Sequence, residues 1–466
     1  MSTALMLLII FGILLVVMFL GAPVKSAMGF TAVCAMLLFM GTRFLPQIGK
    51  IAINQGTGIN QIIAPMFILM AEFLSRGGIA EDIFAVLNRG IGKIKGGLAI
   101  STTLACTIFA ALCGSSPATA ASVGRISISE MTKRKYDPSF AVGTVAAGGT
   151  LGIMIPPSLA FLLYGIITET SIVKLLMAGI VPGLMLSALL CLSIVIRVRA
   201  NKKLIDCPNV AEHFAEPITL TNEETPVQSA ELCDALDAAE QAAGRPDKKE
   251  PSFLRILPAL LLIFVVLGSM YLGWATPMEA AAYGVIGAFL IILFQGRLTK
   301  KLIVDSFKAT AKTGTMIVFL IILGFCMSYV ISYLGIASKI AEAIVASGLN
   351  KHVIMILIYI LWFIMGCLMD PSSMVILTVP FIFPTLTALG FDPLWIGVVA
   401  TLSVEIGMIT PPVGLNLFVL RSNSGLKMSS IIKGSLPYVL VMIIGLVLIT
   451  LFPSIATWLP SIMYAA

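Results

Sequence analysis

Histidine, paired cysteine and charge are the scarce ingredients of this chain. Its two histidines, His213 and His352, stand in different segments, which leaves transition-metal chemistry without its commonest ligand. The eight cysteines (Cys34, Cys106, Cys113, Cys191, Cys207, Cys233, Cys326 and Cys367) include no C-x-x-C pair. Most lie in apolar runs, where a thiol packs like a small hydrophobe, so neither a disulfide framework nor a zinc site is implied. No Walker loop and no G-x-S-x-G elbow occurs, which argues against ATP-driven and serine-hydrolase chemistry. Only 11% of the residues are charged against 58% hydrophobic, and mean hydropathy is +1.03; an ordinary soluble domain is excluded.

What is present is a set of long apolar runs of bilayer length. The first, from Ala4 to Leu20, has no basic residue before it, so a retained span is expected rather than a cleaved secretory signal. Two stretches 255 positions apart share their punctuation: Asp137-Pro138, Gly152, Pro156-Pro157, Gly179 and Pro182 recur as Asp392-Pro393, Gly407, Pro411-Pro412, Gly434 and Pro437. Helix breaks at matching places in two halves point to the binding site of a secondary transporter.

The first repeat is expected over 1–200 and the second over 253–466, joined by a polar, partly disordered linker at 201–252 with one helix near 229–243. In the first repeat, spans are expected at 4–20, 24–41 and 58–75, an amphipathic stretch at 81–95, a broken helix at 139–168 and a span at 177–196. The segment 98–131 is interrupted at Gly114-Ser115-Ser116-Pro117, and each arm reaches only about 22 Å at 1.5 Å per residue. Neither arm crosses a core of about 30 Å, which favours a helical hairpin that returns to its starting side. The second repeat carries spans near 257–273, 278–295 and 313–331, an amphipathic stretch at 335–349, a hairpin at 353–388 broken at Asp370-Pro371, a broken helix at 394–420 and a span at 435–452.

The fold class expected is therefore an all-α polytopic membrane protein, an inverted repeat of about five crossings plus one re-entrant hairpin per half. Charge agrees with the inversion. If the loops around 76–95, 131–137, 197–255, 296–312 and 421–433 share the cytoplasmic side with Lys25, 24 of the 30 Lys and Arg fall there, as the positive-inside rule requires. Both chain ends then face the periplasm or exterior. The net charge of +7 reads as topology and not as a nucleic-acid patch.

In hydrocarbon an unpaired backbone group costs several kcal/mol, so helices broken at mid-depth must face protein, water or a bound ion. Ser116 before Pro117 and Asp370 before Pro371 read as N-caps followed by proline at the first helical position. Converging helix N-termini favour an anionic substrate, and freed carbonyls with hydroxyls suit Na⁺. Asp370 stands between cation ligand and plain cap; Ser115, Ser116, Ser372 and Ser373 stand between ligand and turn cap. The carbonyls of Gly152, Ile155, Gly407 and Thr410, next to the prolines, are cation candidates, with a simple proline kink as the alternative. Arg125, about 12 Å beyond Pro117 along its arm, could hold a carboxylate or pair with Glu130. Glu405 lines a cavity or pairs with a neighbouring helix.

With these features in place, the chain resembles the large membrane subunit of tripartite ATP-independent periplasmic (TRAP) transporters over 4–200 and 253–456. The resemblance rests on Gly114-Ser115-Ser116-Pro117-Ala118-Thr119-Ala120, Gly152-Ile153-Met154-Ile155-Pro156-Pro157-Ser158, Met369-Asp370-Pro371-Ser372 and Gly407-Met408-Ile409-Thr410-Pro411-Pro412. It implies inward movement of an organic acid with Na⁺ by an elevator-type transport domain in a bacterial inner membrane. It also implies a small four-helix membrane subunit and a periplasmic substrate-binding protein as partners, and no cofactor beyond the coupling ion. Sodium ligands would fall on Ser115, Ser116, Gly152 and Ile155 in one half and on Asp370, Ser372, Gly407 and Thr410 in the other. Substrate would lie between the tips, near Ser116, Pro157, Ser158, Ser373 and Pro412, with Arg125 as a candidate carboxylate partner. The first tip reads Cys113-Gly114-Ser115 where the family often has Ser-Gly-Ser, and a thiol is a poor Na⁺ ligand. A stand-alone sodium/dicarboxylate symporter that needs no binding protein is the competing expectation.

Overall fold

The computed structural model describes residues 3–207, 213, 253–336, 338–340, 342 and 348–463. Within the first repeat the helices are α1 (Thr3–Phe19), α2 (Val24–Phe39), α3 (Pro46–Gly56), α4 (Ile63–Arg76), α5 (Ile79–Ile91), α6 (Gly97–Cys113), α7 (Ser116–Lys133), α8 (Pro138–Met154), α9 (Leu159–Thr168) and α10 (Ile172–Ala200). The second contains α11 (Leu257–Tyr271), α12 (Pro277–Phe294), α13 (Lys300–Tyr333), α14 (Lys351–Leu368), α15 (Pro371–Ala388), α16 (Pro393–Met408), α17 (Leu415–Ser424), α18 (Met428–Leu451) and α19 (Ser454–Met463). The described residues carry no β-strand, so the molecule is all-α.

The repeated Asp-Pro pairs start equivalent helices by the same chemistry. Asp137 accepts a hydrogen bond from Phe140 N at 2.8 Å, and Asp392 accepts from Leu394 N and Trp395 N at 2.8 and 3.0 Å. Each carboxylate satisfies amides that the helix start leaves open, and the proline that follows needs no donor. Thr276 and Glu279 form a reciprocal capping box at the start of α12, fixing where that span begins.

Among the described residues, seven helical segments, α8 with α9 counted as one, are long and apolar enough to cross a membrane, or eight if α4 and α5, bent by 58°, count as one span. The outward surface of the helices is apolar, with Leu8 of α1, Phe264 of α11 and Leu440 of α18 each at least 65% exposed, as lipid contact demands. Packing sorts the helices into two groups. In one, α4 lies against α12 and α13, and α13 also covers α2 and α3. The other holds both hairpins: α6 and α7 pack on α8, α14 packs on α16, α7 on α17, and α8 on α18. The groups meet where α4 and α5 touch α6 and where α13 touches α15.

Small residues bring the second group together. A Cβ at Gly143 of α8 would strike the Gly434 carbonyl of α18, and one at Gly434 would strike the Ser139 carbonyl. These two helices therefore cross backbone to backbone, the close approach that glycine permits within a bilayer.

Some helices differ from the sequence reading. Helix α3 was not expected, and α13 runs from Lys300 where the apolar span was set at 313–331; hydropathy marks the membrane-embedded turns of a helix and not its polar extension. The linker at 208–212 and 214–252, with its expected helix at 229–243, lies outside the described residues, as do 337, 341 and 343–347 of the amphipathic stretch at 335–349.

Candidate functional site

Both hairpins form where glycine and proline placed them. The first consists of α6 and α7, with Gly114 turning the chain at φ +65°, a conformation glycine adopts without steric cost. Ser115 is extended and precedes α7. The second consists of α14 and α15, joined through extended Met369 and Asp370. Each tip is docked against its own broken helix. The Pro157 carbonyl lies 2.5 Å from where a Gly114 Cβ would stand, and Leu159 N donates to Gly114 O at 3.4 Å. At the second break Gly414 N donates to Cys367 O at 3.0 Å. The Pro156-Pro157 and Pro411-Pro412 bonds are both cis.

These contacts gather the first set of expected ligands. A Cβ on Gly152 would meet the Ser115 carbonyl and Thr119 Oγ1, both at 2.7 Å, so Gly152 lies directly against the tip. The residues four positions after Gly152 and Ile153 are prolines, so the helical donors to both carbonyls are missing. Leu159 N is directed to Gly114 and not back to Ile155. Unclaimed carbonyls thus accumulate beside Ser115, Ser116 and Thr119.

The second set is less gathered. Gly407 packs against the Phe363 carbonyl at 2.5 Å and Cys367 N at 2.7 Å, measured from its would-be Cβ, and its own carbonyl already accepts from Thr410 N at 2.9 Å. Thr410 Oγ1 donates to Ile406 O at 2.6 Å. Asp370 turns onto its own helix, accepting from Ser373 N at 3.0 Å and from Ser373 Oγ at 2.5 Å. It is a working N-cap in this state, while Ser372 beside it is half-buried. Of the expected substrate-side residues, Pro157, Ser158 and Ser373 are buried and Pro412 is exposed. Ser158 caps α9, its hydroxyl accepting from Phe161 N at 3.3 Å.

Arg125 lies elsewhere. Its side chain is 70% exposed and meets Glu81 of α5 at 3.3 Å; Glu130 pairs with Arg134 instead, at 3.8 Å. Neither the approach of Arg125 to the tips nor its pairing with Glu130 is present in this arrangement.

Two polar residues complete the first niche from the other half of the chain. Asn416, near the start of α17, donates through Nδ2 to Ser116 Oγ at 2.6 Å, across 300 positions of sequence. Glu405 of α16 lies beside Ser116. Ser116, Glu405 and Asn416 are all 0% exposed. Both carboxylate oxygens of Glu405, Asn416 Oδ1 and Thr119 Oγ1 have no hydrogen-bond partner. Sequence reasoning left the role of Glu405 open and missed Asn416; an amide in a membrane half-helix was the available signal. Chemically, the niche gathers buried oxygens around an acidic side chain, a donor set suited to a hard monovalent cation.

Comparison with known proteins agrees with this architecture. Residues 11–455 match the family described as tripartite ATP-independent periplasmic transporter, DctM component. The C4-dicarboxylate TRAP transporter large permease protein DctM of Vibrio cholerae is 32% identical, with 99% of this chain and 98% of that one aligned. Its namesake from Pseudomonas aeruginosa is 35% identical over 85% of each. Among solved structures, the YdaH transporter of Alcanivorax borkumensis superposes with a TM-score of 0.57 at 16% identity, covering 91% of this chain and 90% of that one, a likeness of fold. The chain belongs to the DctM component family of TRAP transporters, and is a multi-pass inner-membrane permease and not an enzyme.

Proposed function

We propose that this permease couples inward movement of an organic acid to Na⁺, and that the niche around Ser116 is one of its ion sites. The observation that carries the reading is the unpartnered Glu405 carboxylate, fully buried beside Ser116 and Asn416. An ionised carboxylate in such surroundings is strongly unfavourable unless a cation joins it. Ser115, Ser116, Gly152 and Ile155 would supply further oxygens on that side. Asp370, Ser372, Gly407 and Thr410 would form the second ion site once the Asp370 carboxylate is released from Ser373. Substrate would bind between the tips, near Ser116, Pro157, Ser158, Ser373 and Pro412.

The permease would work with a small four-helix membrane subunit and a periplasmic binding protein that delivers the acid. The two packing groups would act as a scaffold and an elevator-type transport domain. C4-dicarboxylates are the first acids to test, because they are named for the relatives described above. Both termini would face the periplasm and the 201–252 linker the cytoplasm.

The test is uptake in liposomes containing the permease and its small subunit, with binding protein and labelled dicarboxylate outside. Uptake should collapse when the inward Na⁺ gradient is removed and also when the binding protein is omitted. Uptake indifferent to Na⁺ defeats the coupling. Uptake indifferent to the binding protein turns the reading toward a stand-alone symporter.

A further inference from the structure

Where the chain leaves α10, two linker residues fold back onto the start of α8. Cys207 Sγ, a ring nitrogen of His213 and a carboxylate oxygen of Asp137 lie within 4.8 Å of one another. The thiol belongs to a buried residue, and the His213 and Asp137 side chains are about three-quarters covered.

Two of the three are oriented by side-chain bonds that leave a second ligand atom free, and the third is held through its backbone. His213 Nδ1 is 3.2 Å from Ser139 Oγ and 3.2 Å from Ser430 Oγ, which turns Nε2 toward Asp137. Asp137 Oδ1 caps α8 through Phe140 N at 2.8 Å, leaving Oδ2 toward His213. Cys207 N donates to Lys135 O at 2.7 Å, and His213 O accepts from Lys427 N at 2.9 Å. The backbones of both linker residues are thus pinned as well. A metal-bound imidazole is held in this way by partners on its other ring nitrogen.

The distances point beyond an ion pair. His213 Nε2 and Asp137 Oδ2 are 3.9 Å apart, too far for a hydrogen bond. Two nitrogen or oxygen ligands on one tetrahedral zinc are separated by roughly 3.3 Å, given bonds of about 2.0–2.1 Å. This pair closes by about 0.6 Å to reach that separation, and a pair that includes the thiol, within 4.8 Å here, closes by up to about 1.2 Å to the roughly 3.6 Å set by a Zn–S bond of about 2.3 Å. A thiolate, an imidazole and a carboxylate form a set that suits zinc far better than magnesium or calcium.

We propose that Asp137, Cys207 and His213 form a Zn²⁺ site with its fourth position open to water, against the sequence expectation of no transition-metal site. The ion would fasten the linker to the start of α8, the helix whose far end holds Gly152 and Ile155. Ser430 and Lys427 would tie the same point to α18. The inference does not depend on how substrate transport is driven.

The test uses the purified full-length chain, stripped with a chelator and titrated with Zn²⁺ against a chromophoric competitor. Wild type should retain one Zn²⁺ per chain, and Cys207→Ser, His213→Ala and Asp137→Asn should each lose it. Asparagine still caps a helix, so loss in Asp137→Asn is separable from unfolding. Loading with Co²⁺ should give a thiolate-to-cobalt charge-transfer band that disappears in Cys207→Ser and survives in Cys233→Ser. Equal Zn²⁺ affinity in wild type and the three variants, or a Co²⁺ complex without the thiolate band, overturns the site.

Discussion

Glu405 is the residue whose surroundings ask most of the fold. It has no exposure and no partner on either oxygen, and removing an uncompensated charge from such a place usually stabilises a protein. Glu405→Gln should therefore leave thermal stability in detergent equal or higher while Na⁺-driven uptake falls at least about tenfold, a loss of about 1.4 kcal/mol or more in coupling. A variant that transports normally would remove Glu405 from the ion site; one that melts earlier would make it structural. Arg125 shows the opposite case. In sequence it is a lone cation within an apolar hairpin, yet its exposed guanidinium pairs with Glu81 of α5. Position along a helix told how far it lies from the tip but not which way it faces.

At the scale of the helix, the hairpins were legible almost to the residue. Arms expected within 98–131 and 353–388 are found as Gly97–Cys113 with Ser116–Lys133, and Lys351–Leu368 with Pro371–Ala388. Proline and glycine fix local dihedrals whatever the tertiary context, and arm length against bilayer thickness decides the rest. The tie from Asn416 to Ser116 was not legible, because no local rule connects residues 300 positions apart. Asp370 was readable as a cap, and the structure finds it capping. Asp370→Asn separates the cap from the ion ligand, since asparagine keeps the hydrogen bond to the helix amides and loses the charge. The variant should fold with unchanged helix content and lose Na⁺-dependent uptake. Normal uptake by Asp370→Asn would leave the residue a cap alone.

For the whole molecule, the charge bias predicts orientation. Lysines and arginines crowd the loops that the proposed inverted topology puts on one side, and short loops obey that bias most strongly. A protease site inserted at 229–243 in intact cells or right-side-out vesicles should resist external protease and be cut only after permeabilisation. Cleavage from outside would reverse the proposed topology in both halves at once. The all-α class and the doubled plan followed from composition and punctuation, which act through lipid and backbone. The division into two packing groups did not, because it depends on which apolar faces fit each other, and hydropathy does not distinguish one such face from another.

The glycine crossing of α8 and α18 bears on how any displacement must travel. Where main chains touch, there is no layer of side chains to shear, repack or absorb a shift. At that crossing a push on one rod would pass straight to the other, so any displacement of α8 would carry α18 along with it.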